Sequence, residues 1–145
     1  MMRLGAKGEA LIKGFEKLSL VAYKPTPADQ WTIGWGHTGP EVVEGLTCTL
    51  EQAERWFLHD TQWAVLGVER SLNVGVSQNQ FDALVSFTFN VGVTAEAHST
   101  LLSYVNDQHW EQVPDQFLVW NKQAGVVLPG LTRRREAERE LFLTA

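Results

Sequence analysis

The sequence predicts an α+β protein, mainly helical, in which a small antiparallel-sheet lobe at about residues 16–48 and a larger helical lobe formed by the remainder flank a cleft. Three observations predict it. Apolar residues recur at helical spacing over most of the chain, whereas residues 18–36 alternate as a strand pair does. Pro25 and Pro27 interrupt that alternating stretch, where a turn tolerates them and a central strand does not. The length, 145 residues with 44% apolar side chains, suits one domain with a substantial core.

The elements follow in order. A first helix is expected from about Ala6 to Phe15, with Leu11, Ile12 and Phe15 on one apolar face and Leu4 and Gly8 in line behind. Alternation then places Leu18, Leu20 and Ala22 on one side and Ser19, Val21 and Tyr23 on the other. Gln30-Trp31-Thr32-Ile33-Gly34-Trp35 reads as the returning strand. Thr49 with Gln52 three residues later forms a capping-box pattern that opens a long helix, along which Ala53, Trp56, Phe57, Trp63, Ala64, Gly67 and Val68 make an apolar stripe. Trp56 and Trp63 on that stripe, and Trp110 and Trp120 further on, are expected in the core. Helices are expected over 78–91, 97–106, 109–121 and 131–143. No repeat, linker or attached wall-binding module is visible.

Composition removes several classes of function. No apolar run approaches membrane-spanning length, and the first residues lack the apolar core of a secretory signal. Net charge is −5, the opposite of what nucleic-acid binding favours. The charge is uneven: residues 121–145 carry Lys122, Arg133, Arg134, Arg135 and Arg139 against Glu136, Glu138 and Glu140, a local excess of +2. Cys48 stands alone, so no intrachain disulfide forms, and the four histidines are scattered, so no metal site is expected. No cofactor is expected either.

Chemistry concentrates early in the chain. Glu16 ends the first helix and is followed sixteen residues later by Thr32-Ile33-Gly34-Trp35-Gly36-His37-Thr38. A carboxylic acid beside an aromatic-lined concave surface is what glycosidic-bond cleavage needs. Phe15, Leu18 and Tyr23 are the sequence neighbours that could desolvate it. The plainer reading of Glu16 is a surface glutamate at a helix C-terminus.

The segments Leu11–Tyr23 and Trp31–Thr38, then Gln80–Phe87 with Phe89-Asn90-Val91-Gly92, Ser99–Leu102 and Leu128–Arg135, resemble in order the phage-type lysozymes and endolysins of glycoside hydrolase family 24. The resemblance covers nearly the whole chain. It implies a lysozyme-like fold and a muramidase that cleaves the β-1,4 bond between N-acetylmuramic acid and N-acetylglucosamine. It assigns Glu16 as general acid and Thr32 as the residue that orients the attacking water. Trp31, Trp35 and His37 are the flanking substrate-binding candidates, one of the tryptophans packing inward and His37 serving mainly as a hydrogen-bonding residue. The substrate it implies is peptidoglycan. The N-terminal residues, which show no export signal or membrane anchor, point to synthesis in the host cytoplasm, so the resemblance further implies release to the periplasmic wall through a holin lesion, and a monomer is expected.

The pattern departs from the family in one place that matters. The family places an Asp nine positions after its catalytic Glu and a Thr six further on; here the ninth position is Pro25, and the acidic residue of the loop is Asp29, three before Thr32. Asp29 is either the relocated water-activating carboxylate or an ordinary turn aspartate after Pro27-Ala28. Thr26 is a weaker candidate for holding a water. The missing Asp keeps a lytic transglycosylase open as an alternative, and a non-catalytic wall-binding protein is a third reading. Arg133, Arg134 and Arg135 read as an ion-paired helix surface. Glu96 stands where the family often has an aromatic, so its charge is expected to be exposed or paired.

Overall fold

A buried carboxylate fixes where the first helix begins. In the computed structural model, which describes all of Met1–Ala145, helix α1 spans Ala6–Glu16. The Asp82 carboxylate, 1% exposed, accepts the Gly5 N–H at 2.9 Å and the Gly8 N–H at 3.2 Å. These are donors that a helix N-terminus leaves unpaired. The approach is too close for a side chain: a Cβ on Gly8 would stand 2.7 Å from Cβ of Asp82. Lys17, at φ 55, ends the helix in the left-handed conformation typical of a C-terminal cap.

Strands β1 (Ser19–Tyr23) and β2 (Thr32–Gly34) pair antiparallel, Ser19 opposite Gly34 and Tyr23 opposite Thr32, with an irregularity between. Helix α2 (Leu50–Ser71) begins where Thr49 Oγ1 accepts the Gln52 N–H at 3.1 Å. Helices α3 (Gln78–Val91), α4 (Val93–Ala97), α5 (Thr100–Asn106), α6 (Val113–Leu118) and α7 (Pro129–Leu143) follow, with a short 3-10 turn at Trp110–Gln112 and a hairpin of β3 (Lys122–Gln123) and β4 (Val126–Val127). The protein is thus mostly helical with small antiparallel sheets, the α+β class the sequence predicts.

The chain divides into two compact units, one of Lys13–Gln62 and one of Met1–Ile12 with Trp63–Ala145. In the first, Ala22, Ile33 and Val42 form a core that Trp31, Leu46, Cys48 and Trp56 partly cover. Of Leu18, Leu20 and Ala22, which alternation places on one side, only Ala22 is buried; Leu18 and Leu20 remain 42% and 41% exposed, because a two-stranded sheet offers little surface to cover them. In the second unit α3 packs on α7, and α7 on α6. Residues Phe81–Thr88 are buried throughout. Ser77 caps α3 in a reciprocal capping box with Gln80, and α3 occupies the predicted 78–91.

Several local expectations change. The predicted helix 97–106 breaks at Ser99, whose hydroxyl donates to the Glu96 carbonyl at 2.7 Å and accepts the Leu102 N–H at 3.0 Å, so that it caps α5. The predicted helix 109–121 contracts to α6, which Pro114 opens from its first turn. Residues 122–127 turn through Ala124 (φ 52) and Gly125 (φ 78), the two left-handed residues of a tight hairpin. Trp63 is 44% exposed rather than in the core and stacks on Phe89 at 5.7 Å.

The arginine block also differs. Arg134 and Arg135 are buried around the buried Glu138 instead of lying on a helix surface. Arg135 Nε lies 2.7 Å from Glu138 Oε1 as an ion pair out of hydrogen-bond alignment, and Ser86 Oγ donates to Glu138 Oε2 at 2.6 Å. Burial pushes the Glu138 carboxyl up and pulls the Arg135 guanidinium down, each offset by its partner.

Candidate active site

The unit Lys13–Gln62 contains a recess of about 440 Å³ lined by Glu16, Tyr23, Pro25, Asp29, Gln30, Thr32, Gly36 and Thr38. It brings together the three residues expected to carry chemistry: Glu16, Asp29 and Thr32. Another recess of about 490 Å³ is formed by the consecutive residues Gln108–Gln112 and has one carboxylate, Glu111, too few for paired acid and base work.

Local backbone geometry builds the site. Glu16 is the last residue of α1, and left-handed Lys17 turns the chain away from it. Beside it, Ile33 and His37 exchange both backbone hydrogen bonds, at 2.9 and 2.8 Å, which closes a tight loop over Gly34-Trp35-Gly36. Gly34 and Gly36 take φ of +66° and +80°, conformations that glycine adopts without steric cost. Gly36 lies directly against the acid: a Cβ there would stand 2.9 Å from Glu16 Oε2.

Thr32 is 6% exposed, and its hydroxyl donates to the Gln30 carbonyl at 3.0 Å. With its proton so committed, the oxygen presents lone pairs, the polarity needed to accept from a water. Asp29 lies on the exposed Pro25–Gln30 loop, where its Oδ2 accepts from Thr26 Oγ1 at 2.9 Å.

Trp31, Trp35 and His37 lie outside the lining. Trp31 packs against the Ala22, Ile33 and Val42 core, with the Lys24 ammonium 5.3 Å from its ring centre. Trp35 meets Phe57 edge-on at 5.9 Å, under the Lys13 ammonium at 4.3 Å, and that ammonium pairs with Glu54 at 2.7 Å. His37 stacks on Trp56, ring centres 4.4 Å apart and planes within 5°. Both its nitrogens face carboxylates, Nδ1 to Asp60 at 2.7 Å and Nε2 to Glu41 at 2.6 Å, so neither is left for a sugar. The Glu41 carboxyl sits below its ordinary value, held there by its own backbone N–H and then by His37.

The desolvating neighbours expected around Glu16 also differ. Phe15 and Leu18 are exposed, whereas Tyr23 lines the recess. Pro25, Gln30, Gly36 and Thr38 join the lining without having been singled out as site residues. Gly36 had a legible signal in its Gly-x-Gly spacing; the others are placed by the loop path and by β-pairing, which no local pattern encodes.

The comparisons fit this geometry. The family model described as phage lysozyme matches residues 13–138. The endolysin of Bacillus phage B103 is 46% identical over 144 residues, which is 99% of this chain and 55% of that protein. The endolysin of Salmonella phage P22 is 37% identical over 148 residues, 99% of this chain and 100% of that protein. The chain therefore spans about half the length of the Bacillus phage relatives it matches. Among solved structures, the endolysin from Escherichia coli O157:H7 phage FAHEc1 superposes with a TM-score of 0.91 at 37% identity, covering 98% of this chain and 94% of that one. The muramidase domain of SpmX from Asticaccaulis excentricus gives 0.89 at 36% identity over 100% of both chains. With a family match of that extent and a relative covered along its whole length, the chain belongs to the phage lysozyme family.

Proposed function

We propose that this chain is an endolysin-type muramidase that hydrolyses the β-1,4 bond between N-acetylmuramic acid and N-acetylglucosamine in bacterial peptidoglycan. The observation that carries the reading is the single recess lined by Glu16, Asp29 and Thr32. In the reaction Glu16 gives its proton to the leaving O4 of N-acetylglucosamine as the C1–O4 bond breaks. A water held on Thr32 attacks C1 from the opposite face, and its proton passes to Asp29. One displacement inverts the anomeric centre, and both carboxyls are then reset by proton exchange with solvent. In this reading residues 1–145 form one catalytic domain, of which the family model matches 13–138.

Asp29 in the lining supplies the second carboxylate whose apparent loss left a transglycosylase open, so hydrolysis is the favoured outcome. The same reading makes the chain a monomer, made in the host cytoplasm and delivered to the periplasmic wall after a holin opens the membrane. No helix is long and apolar enough to cross a membrane.

The test is Glu16→Gln, which keeps the shape and removes the transferable proton. Release of reducing ends from purified peptidoglycan is expected to fall roughly 10²–10⁴-fold with the unfolding midpoint preserved. A folded Glu16→Gln variant with full activity would remove Glu16 from the mechanism.

A further inference from the structure

The loop that carries Asp29 is organised around a side chain that the mechanism above leaves unused. We propose that Thr26 is a positioning residue for the water-activating carboxylate, holding Asp29 through Oδ2 so that Oδ1 is left to take the proton of the attacking water, an inference that rests on the reading of Asp29 as general base.

Two bonds join the pair. Thr26 Oγ1 donates to Asp29 Oδ2 at 2.9 Å, and the Asp29 N–H donates to the Thr26 carbonyl at 3.0 Å. They close a four-residue turn in which Pro27 occupies the second position, where its fixed φ belongs. Pro25 precedes Thr26, so the hydroxyl is flanked on both sides by residues with a locked φ. The bond therefore starts from a stiff backbone and costs little order to form.

Asp29 needs such a clamp because it is solvent-exposed and no other side chain is bonded to it. A free exposed carboxylate would rotate among rotamers and spend only part of its time facing the water. A hydroxyl has one proton, and Thr26 commits it to Oδ2, which fixes the carboxylate plane and distinguishes its two oxygens. Orientation of a reacting group acts on turnover and leaves substrate binding largely alone.

The test compares initial rates of reducing-end release from purified peptidoglycan for the unaltered chain, Thr26→Val, Thr26→Ser, Asp29→Ala and the double variant Thr26→Val with Asp29→Ala. Both residues are exposed, so the core is untouched; circular dichroism and unfolding midpoints check this. Asp29→Ala is expected to lose roughly 10²-fold or more. Thr26→Val is expected to lose roughly 5–50-fold in kcat with KM within about twofold, and Thr26→Ser to recover most of that. The double variant is expected to be no slower than Asp29→Ala alone, since the clamp has nothing left to hold. A Thr26→Val variant with unaltered kcat, beside an impaired Asp29→Ala, would overturn the role of Thr26 and leave that of Asp29 standing. An unimpaired Asp29→Ala would overturn both. A loss on Thr26→Val that persists in full on top of Asp29→Ala would show that Thr26 acts elsewhere, and would overturn the coupling.

Discussion

Gly36 leaves the space that the Glu16 carboxylate occupies: a methyl group added to Gly36 would lie 2.9 Å from Oε2. Gly36 also holds φ at +80°, so Gly36→Ala meets two obstacles at once. The left-handed backbone costs an alanine about 1–2 kcal/mol. The added carbon must also push the carboxylate away from its position, where even an ångström of misplacement is expensive in rate. The expected outcome is a midpoint shift matching that cost, together with a fall in turnover of about 10²-fold. Activity close to that of the unaltered chain, measured on a folded Gly36→Ala variant, would mean that Gly36 does not set the position of the acid.

This pair also shows what the sequence could and could not reveal. That Glu16 and Thr32 would share a recess was legible through the family resemblance of the segments that carry them, whereas Asp29 was open between a base and a turn residue because the path of its loop is not written in local sequence. Helix α3 was legible because its start signal, Ser77 with Gln80, is local. Trp31, Trp35 and His37 were substrate candidates, with one tryptophan expected to pack inward and His37 to serve mainly as a hydrogen-bonding residue, because an aromatic near a site suits stacking on a sugar as well as packing on a core. Only the tertiary partners, Phe57 for Trp35 and Trp56 for His37, decide between the two. The burial of Arg134 and Arg135 was hidden for the same reason, since the Ser86–Glu138 bond that anchors their network joins residues 52 apart in sequence.

His37 should therefore behave as a structural residue. Replacing it with alanine removes the imidazole partner of the Asp60 and Glu41 carboxylates, leaving Asp60 with His59 and Glu41 with its own backbone N–H, and uncovers one face of Trp56. Both carboxylates keep partial access to water, at 28% and 52% side-chain exposure, which moderates the penalty. Urea unfolding of His37→Ala is expected to show a loss of about 1–3 kcal/mol, with KM for peptidoglycan changed less than about twofold. An unchanged stability with a tenfold higher KM would return His37 to the substrate.

Glu96 gives a pH dependence with a definite sign. It is fully buried, with Oε2 bonded to Ser71 Oγ at 2.9 Å and Oε1 without a partner. Burial pushes its carboxyl from 4.5 up to about 7, against the lowering effect of the Ser71 bond. Between those values the unfolded chain has released the proton while the folded chain keeps it. Stability therefore falls as pH rises from 4.5 to about 7 and is level above that. The full effect of this one group is on the order of 3 kcal/mol. Glu96→Gln should abolish this contribution and be the more stable protein at pH 8. Urea titrations of both proteins at pH 5 and pH 8 decide it; parallel pH trends would show that Glu96 does not titrate in this way.

The central claim is that hydrolysis here runs on Glu16 with a displaced base, Asp29. The most direct test is a digest of purified peptidoglycan with the unaltered chain and with folded Asp29→Ala, both analysed by mass spectrometry. The expected result is hydrated reducing-end products from the first and release slowed by roughly 10²-fold or more from the second. Anhydro products, lighter by one water, with Asp29→Ala still fully active, would contradict the account: Glu16 would then work as the acid and base of a transglycosylase, and Asp29 would be a turn residue only.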